Sequence, residues 1–239
     1  MGASNSIQSS TKIKRQKIDE GEQDRISCLP DHILHQILSH LPTKYAVATS
    51  VLSTRWKYLW TSISTLDFCQ ESFVPNYLMN ISTFMSSVEQ VLLQHEGNIQ
   101  KFCLSTTMLL DDSRVNVWIS TLLKRKVQEL IIHFYTDDPF VLPSSLFTCE
   151  SITILKLNVW SKLQLPSSIL CFSNLKVLHL KNVRFYCDQP IQQVSISLPI
   201  VEELVLKDCE WVDIEAVNIY VPTLKRQIFI CFTDNFVYP

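Results

Sequence analysis

The sequence is poor in glycine and carries little net charge, and each shortage excludes a class of binding site. Of its 239 residues only Gly2, Gly21 and Gly97 are glycine. The chain therefore lacks the glycine-rich loops that bring backbone close to a bound nucleotide phosphate. Its formal net charge of -2 at pH 7 provides no broad attraction for nucleic acid. We expect no cofactor and no nucleic-acid partner.

The sequence also lacks long apolar runs and closely spaced cysteines. No run approaches the roughly 20 apolar residues of a membrane span, so no transmembrane segment is expected. Eight cysteines are present, none of them in a C-x-x-C pair, and residues 1–25 are too polar for a secretory signal peptide. We interpret the cysteines as reduced, mostly buried thiols of a nuclear or cytoplasmic protein, with no metal site. A disulfide framework is the alternative.

Residues 1–23 form a polar tail rich in serine, glutamine and lysine, and this composition predicts disorder. A basic cluster in the tail is compatible with a nuclear import signal and equally with a simply solvated segment. The cluster consists of Lys12, Lys14, Arg15 and Lys17. Met1, Gly2 and Ser6 match the short myristoylation pattern, and whether Gly2 is acylated stays open.

Residues 24–60 combine helix signals with a dense set of apolar side chains. Pro30 suits the first position of a helix, and Pro42 ends that helix. Between them the apolar residues form one helical stripe. The stripe consists of Ile33, Leu34, Ile37, Leu38 and Leu41. Thr43 is placed to cap a second helix, and a third helix carries Trp56 and Trp60, so the pattern predicts three short helices.

Helices this short cannot bury so much apolar surface among themselves. The exposed remainder either forms a binding site for a partner protein or packs on the rest of the chain. The pattern alone leaves both interpretations open.

The segment resembles an F-box, in the form found in plant F-box proteins with leucine-rich repeats. The resemblance runs without a gap from Asp24 to Trp60 and includes Leu29-Pro30-Asp31, Leu41-Pro42-Thr43 and Arg55-Trp56. It implies docking on a Skp1-type adaptor of a cullin–RING ubiquitin ligase. By resemblance, nine residues make up the contact set, although some of them must instead hold the helices together. The nine are Leu29, Pro30, Ile33, Leu34, Ile37, Leu38, Val51, Leu52 and Trp56.

From residue 98 onward the pattern apolar-x-x-apolar-x-apolar recurs. Its middle positions are Phe102, Leu130, Leu155, Leu178, Leu204 and, in a sixth copy, Gln227. The steps of 28, 25, 23, 26 and 23 residues lie in or near the leucine-rich repeat range of about 20–29. Each copy alternates with a period of two, which predicts a strand with one buried face. Stacked repeats would cover these faces, and an ordinary α/β domain with parallel strands is the alternative.

The predicted fold is α+β with repeats: a three-helix F-box followed by a leucine-rich-repeat α/β solenoid. We place the F-box at 24–70, a linking region with a helical stretch at 71–97, and the repeats at 98–239. The chain ends soon after the sixth copy, and no FBD region, which usually follows the repeats in such relatives, is visible. An exposed last strand needs protection. A truncated array and an array capped by its last residues or by a partner are both open.

On each predicted strand the buried residues alternate with residues of an open, concave face. Five basic side chains fall on that face at repeat spacing. They are His133, Lys156, His179, Lys181 and Lys207. Charges of one sign in a concavity favour an oppositely charged partner, so they predict a target with an acidic or phosphorylated segment. The alternative is a solvated strand face without a partner.

Together the two regions predict the substrate-recognition subunit of an SCF-type (Skp1–cullin–F-box) ubiquitin ligase. The F-box would bind the adaptor, and the repeats would hold the target at high local concentration near the ligase core. No catalytic residue is expected in this subunit. A catalytic-cysteine ligase is the enzymatic alternative and requires an activated thiolate. The second alternative is a truncated binding module that occupies the adaptor without recruiting a target.

Overall fold

The computed structural model describes residues 25–69, 80–136, 138–146, 149–165, 170–187 and 191–231. The tail predicted at 1–23 lies outside the described residues. By compactness the chain divides into a short unit, 1–30, and a large unit, 31–239. In the short unit the described residues form a turn, in which the Leu29 N–H donates to the Ile26 carbonyl oxygen at 3.0 Å.

The large unit begins with short helices. Helices α1 (Asp31–Ser39) and α2 (Thr43–Ala48) are α-helical, whereas Thr49–Val51 and Trp56–Ser62 are 3-10 helices. The helix predicted around the two tryptophans is therefore present as the tighter 3-10 form. Trp56, Leu59 and Trp60 are all buried, so packing of these side chains rather than helix propensity holds the segment in place.

Thr43 does not cap α2 as its position suggested. The residue before the helix is Pro42, whose carbonyl oxygen accepts the N–H groups of Tyr45 and Ala46 at 2.8 and 3.1 Å. The Thr43 side chain is buried, and its Oγ1 accepts the N–H of Asp67 at 2.7 Å. The hydroxyl thus satisfies a backbone donor that is 24 residues away in the sequence.

Eleven described strands form two sheets. They are β1 (Thr65–Cys69), β2 (Lys101–Leu109), β3 (Glu129–Tyr135), β4 (Phe140–Val141), β5 (Ile154–Gln164), β6 (Leu170–Cys171), β7 (Val177–Tyr186), β8 (Ile191–Ser197), β9 (Glu203–Trp211), β10 (Ile214–Tyr220) and β11 (Arg226–Cys231). The larger sheet has the order β1-β2-β3-β5-β7-β9-β11, with β4 beside β5, and the smaller has the order β10-β8-β6. Every pairing is parallel.

The first five copies of the repeat pattern coincide with β2, β3, β5, β7 and β9. The middle residues of these copies are in register across the sheet: Phe102, Leu130, Leu155, Leu178 and Leu204. All three apolar positions of each of the five copies are buried. Gln227 takes the corresponding place on β11 and is exposed. The apolar repeat pattern therefore marks the core side of the sheet.

The sheet begins one strand earlier than the repeat pattern indicated. Ile63, Leu66 and Phe68 have the repeat spacing and are buried, and Leu66 is in register with Phe102. The step between these two residues is 36 positions (102 minus 66), because a segment containing the helix Ile81–Gln94 lies between the strands. The strand β1 thus lies within the range predicted for the F-box, 24–70, and is also the first strand of the larger sheet.

The core lies between the larger sheet and the elements that cover it. Helices α3 (Ile81–Gln94) and α4 (Asp112–Lys124) follow β1 and β2, and each buries one apolar side. Later connections carry the smaller sheet instead. Leu178 of the larger sheet and Ile196 of the smaller line the same wholly apolar space. Within the described parts of the chain, no helix is both long and apolar enough to cross a bilayer.

His95, at the end of α3, is a buried titratable group. Its side chain is 2% exposed, and its Nε2 lies 2.8 Å from the Ile63 carbonyl oxygen. Burial lowers the pKa of this imidazole below its ordinary value, and the nearby Arg125 guanidinium lowers the pKa further. The hydrogen bond to Ile63 opposes the shift without cancelling it. The folded chain therefore disfavours protonated His95.

We predict that stability falls as the pH drops from about 7.5 to about 5.5, because the unfolded chain gains the His95 proton first. The contribution of neutral His95 to stability is complete above the pKa that this imidazole has in the unfolded chain. It is lost as the pH falls toward the lower pKa that the imidazole has in the folded chain. It amounts to at most about 1.4 kcal/mol per pH unit, the slope for one proton. Urea unfolding at several pH values measures it. His95→Gln should flatten the slope. Equal slopes in the parent and His95→Gln would contradict the assignment.

Candidate functional site

Several apolar side chains of the helical region face solvent. Val51 is 87% exposed, Leu52 64% and Ile37 44%, and Ile33 is half-buried. We call Ile37, Val51 and Leu52 the exposed apolar set. Large apolar side chains that concentrate in a short surface region are typical of protein-binding sites. These three belong to the nine residues predicted to contact an adaptor.

Three other members of the nine lie inside the helical region. Leu34 and Leu38 are 0% and 1% exposed, and Trp56 is 5% exposed. Buried to this degree, they hold the short helices together and are not open to a partner in this conformation. Leu29 and Pro30 belong to the short unit, where Leu29 is half-buried and Pro30 is exposed.

An ion pair joins the start of α1 to the residue before Trp56. The Arg55 Nε and Nη2 atoms donate to Asp31 Oδ1 at 3.1 and 2.5 Å, and this hydrogen bonding lowers the pKa of the Asp31 carboxyl. Both side chains are substantially exposed, so the pair adds little to stability. The pair links Arg55, which follows Val51 and Leu52 in the chain, to Asp31 at the start of the first helix.

Three histidines of α1 and its C-terminal end line a polar cleft. His32, His35 and His40 share it with residues that include Ser62 and Lys101. His40 Nδ1 lies 2.7 Å from the Gln36 carbonyl oxygen. Among the described residues these histidines do not form a cluster with metal-binding geometry.

The basic residues predicted to bind a target lie in two rows across the outer face of the larger sheet. In one row Lys156 is the register partner of His179. In the other row His133, Lys181 and Lys207 occur, with Asn158 between His133 and Lys181. The structure thus brings all five predicted side chains to one sheet face.

The charge on this face is less uniform than the sequence pattern suggested. His179 Nε2 lies 3.0 Å from Glu203 Oε1, yet burial and the nearby Lys156 ammonium keep the pKa of His179 below its ordinary value. His179 therefore contributes no full positive charge at neutral pH. Within the described ranges, Lys156, Lys181 and Lys207 have no carboxylate at ion-pair distance. The free basic character of the face comes from these three lysines.

One group of side chains on this face was missed by the sequence analysis. Cys69 Sγ and Cys103 Sγ lie 2.9 Å apart, although the residues are 34 positions apart in the sequence. Asp67 adds its carboxylate to the same group. The sequence feature that could have predicted this group is the repeat spacing of Ile63, Leu66 and Phe68. That spacing would have placed β1 next to β2.

Comparison with protein families supports the resemblance seen in the sequence. A family model of the F-box domain matches residues 26–67. A second model, for the leucine-rich repeats of FBD-associated F-box protein At5g56370, matches residues 115–233. The first match ends inside β1, and the second covers the sheet from α4 to β11.

Similar curated proteins come from Arabidopsis thaliana. FBD-associated F-box protein At4g10400 is 34% identical over 210 residues, which are 85% of this chain and 50% of that protein. F-box/LRR-repeat protein At4g14103 is 35% identical over 213 residues, 87% of this chain and 56% of that protein. F-box protein At4g09920 is 34% identical over 85% of this chain and 64% of its own length. This chain thus spans about half to two thirds of these relatives.

The division between buried and exposed residues of the helical region predicts unequal effects on stability. Leu34→Ala should lower the free energy of unfolding by about 2–5 kcal/mol, because it leaves a cavity at a fully buried site. Val51→Ala should change that free energy by less than about 0.5 kcal/mol, since the side chain already faces water. Chemical denaturation of both variants and the parent measures the difference. Equal losses would show that the helices pack differently.

Proposed function

The chain belongs to the plant F-box proteins with leucine-rich repeats, and on that premise we propose that it is the substrate-recognition subunit of an SCF-type ubiquitin ligase. F-box domains generally bind Skp1-like adaptors, and members of this family are generally non-catalytic adaptors. In this proposal the ligase acts in the nucleus or cytoplasm. The helical region holds the adaptor, and the repeats hold a protein for ubiquitination.

The exposed apolar set is the observation that carries the adaptor part of the proposal. Val51 and Leu52 are adjacent in the chain and both largely exposed, and the exposed Ile37 lies on the first helix. Burial of such side chains is the main favourable contribution to protein association. Within the large unit we therefore narrow the proposed adaptor contacts to Ile37, Val51 and Leu52, with Ile33 as a further member. In this interpretation α1, α2 and Trp56–Ser62 correspond to the three helices of an F-box.

The larger sheet supports the target-binding part. Its strands are parallel and in register, as expected for leucine-rich repeats stacked in a solenoid. The lysines of its outer face, Lys156, Lys181 and Lys207, are held at fixed spacing by the register. Fixed positive charges on one sheet face suit a target segment that is acidic or phosphorylated.

We predict that Val51→Asp weakens binding to a purified Skp1-like adaptor by at least about 10-fold, because it places a charge in a surface that must lose water. Isothermal titration calorimetry measures the affinity. The matched control is Leu93→Asp: Leu93 lies on α3, is 82% exposed, and undergoes the same chemical change outside the proposed interface. Leu93→Asp should bind like the parent. Unchanged affinity in a folded Val51→Asp variant would refute the assigned surface.

Reversing Lys156, Lys181 and Lys207 to Glu should release the captured target while adaptor binding stays unchanged, because the reversal replaces attraction by repulsion at the sheet face. Affinity purification followed by mass spectrometry compares the captured proteins. The control reverses Lys124, Lys126 and Lys176, which are exposed and lie outside the strands, so the net charge changes equally. An unchanged set of captured proteins in the first variant would exclude these three lysines as the docking surface.

Ubiquitination in a reconstituted ligase separates a receptor from a module that merely occupies the adaptor. If this chain is a receptor, proteins captured by the parent become ubiquitinated, and the triple reversal abolishes that modification. If adaptor binds but no captured protein is modified, the chain is a non-degradative binding module.

A further inference from the structure

Cys69, Cys103 and Asp67 form a compact group of metal-binding atoms at the start of the larger sheet. The two sulfur atoms lie 2.9 Å apart, and with one carboxylate oxygen of Asp67 all three ligand atoms lie within 4.8 Å of one another. Each of the three residues is half-buried. The group is therefore reachable from solvent and is also partly shielded from it.

Backbone contacts hold the group in place. The Asp67 N–H donates to the buried Thr43 Oγ1 at 2.7 Å, and the Cys69 N–H donates to Asp67 Oδ1 at 2.9 Å. The register of β1 and β2 fixes Cys103 beside Asp67. A site whose ligands are already positioned loses little conformational entropy when it binds an ion.

The register argues against a direct disulfide between the two cysteines. Cys103 pairs with Asp67 and Cys69 pairs with Ser105, so the cysteines are two positions out of register. With a strand separation of about 4.8 Å and a rise of about 3.3 Å per residue, their Cα atoms lie roughly 8 Å apart. Disulfides require a Cα separation below about 7 Å. An atom bonded to both sulfurs spans the offset more readily than a sulfur–sulfur bond.

We propose that Cys69, Cys103 and Asp67 bind one thiophilic divalent cation, with Zn²⁺ as the fitting ion. Zn²⁺ takes thiolate sulfur at about 2.3 Å and carboxylate oxygen at about 2.0–2.2 Å in tetrahedral geometry. Two thiolates of such a site lie roughly 3.8 Å apart, so the sulfurs separate by rotation of their side chains. A water molecule completes the fourth position. Binding releases the two thiol protons to solvent.

The local charge balance suits a dication. Two thiolates and one carboxylate carry three negative charges, which exceed the charge of the ion by one. Lys101 is nearby on β2, and its ammonium lies 3.6 Å from Glu129 Oε2, so its charge is already directed toward another carboxylate. The bound ion would cross-link β1, which follows the helical region, to the first strand after α3. This role is independent of adaptor and target binding.

Zinc titration of the reduced full-length chain tests the proposal. Starting from metal-free protein, competition with a chromophoric chelator measures affinity and stoichiometry, and Co²⁺ substitution reports thiolate ligation through its charge-transfer absorption. We expect one equivalent of Zn²⁺ and a rise in thermal stability. Cys69→Ser and Cys103→Ser should each weaken binding by about 10- to 100-fold, and Asp67→Asn should weaken it less. The control Cys149→Ser, a half-buried thiol outside the group, should bind like the parent.

Parent-like zinc affinity in both Cys69→Ser and Cys103→Ser would overturn the proposal, as would the absence of thiolate charge-transfer absorption with Co²⁺. If a variant fails to fold, alkylation of the parent chain tests whether zinc binds at Cys69 and Cys103. Zinc should protect Cys69 and Cys103, but not Cys149, from iodoacetamide, as identified by peptide mass spectrometry. Equal alkylation with and without zinc would exclude the site.

Discussion

The strands β2, β3, β5, β7, β9 and β11 of the larger sheet each depend on a carbonyl oxygen of the preceding strand's segment. At every step two consecutive N–H groups donate to a single oxygen of the preceding repeat, as Gln128 and Glu129 donate to Gln100, both at 2.9 Å. The accepting residues run through the sheet as Ser64, Gln100, Gln128, Thr153, Lys176 and Glu202. No strand can satisfy these donors within its own repeat. The register therefore propagates from one repeat to the next.

This register decides which residues belong to the core and which to the outer face. Because side chains alternate along a strand, a slip of one residue would carry Leu155 outward and Lys156 inward. Burial of the whole apolar column from Leu66 to Leu204 opposes such a slip. The same constraint aligns Lys181 with Lys207 and brings Cys103 beside Asp67. The proposed target surface and the proposed metal site thus follow from one stacking interaction.

Different parts of the structure were predictable to different degrees. The strands β2, β3, β5, β7 and β9 follow from a spacing of residues that recurs every 23 to 28 positions, because repeated apolar triplets have few alternatives to stacked strands. The strand β1 was not predicted, because its 36-residue step to the next copy (102 minus 66) exceeds the repeat range. Thr43 was misassigned as a cap because its true partner, the Asp67 N–H, is distant in sequence. The adaptor and target residues stay predictions.

The sequence by itself determined the repeat period and the family, since these depend on residue type and spacing within short windows. By resemblance it also predicted nine residues that contact an adaptor. Only the tertiary structure decided which of them are available, burying Leu34 and Leu38 and leaving Val51 and Leu52 in water. It alone joined Cys69 to Cys103, because parallel strands bring together residues that are far apart in the chain. Local patterns specify strands and helices, whereas packing specifies which of their faces meet.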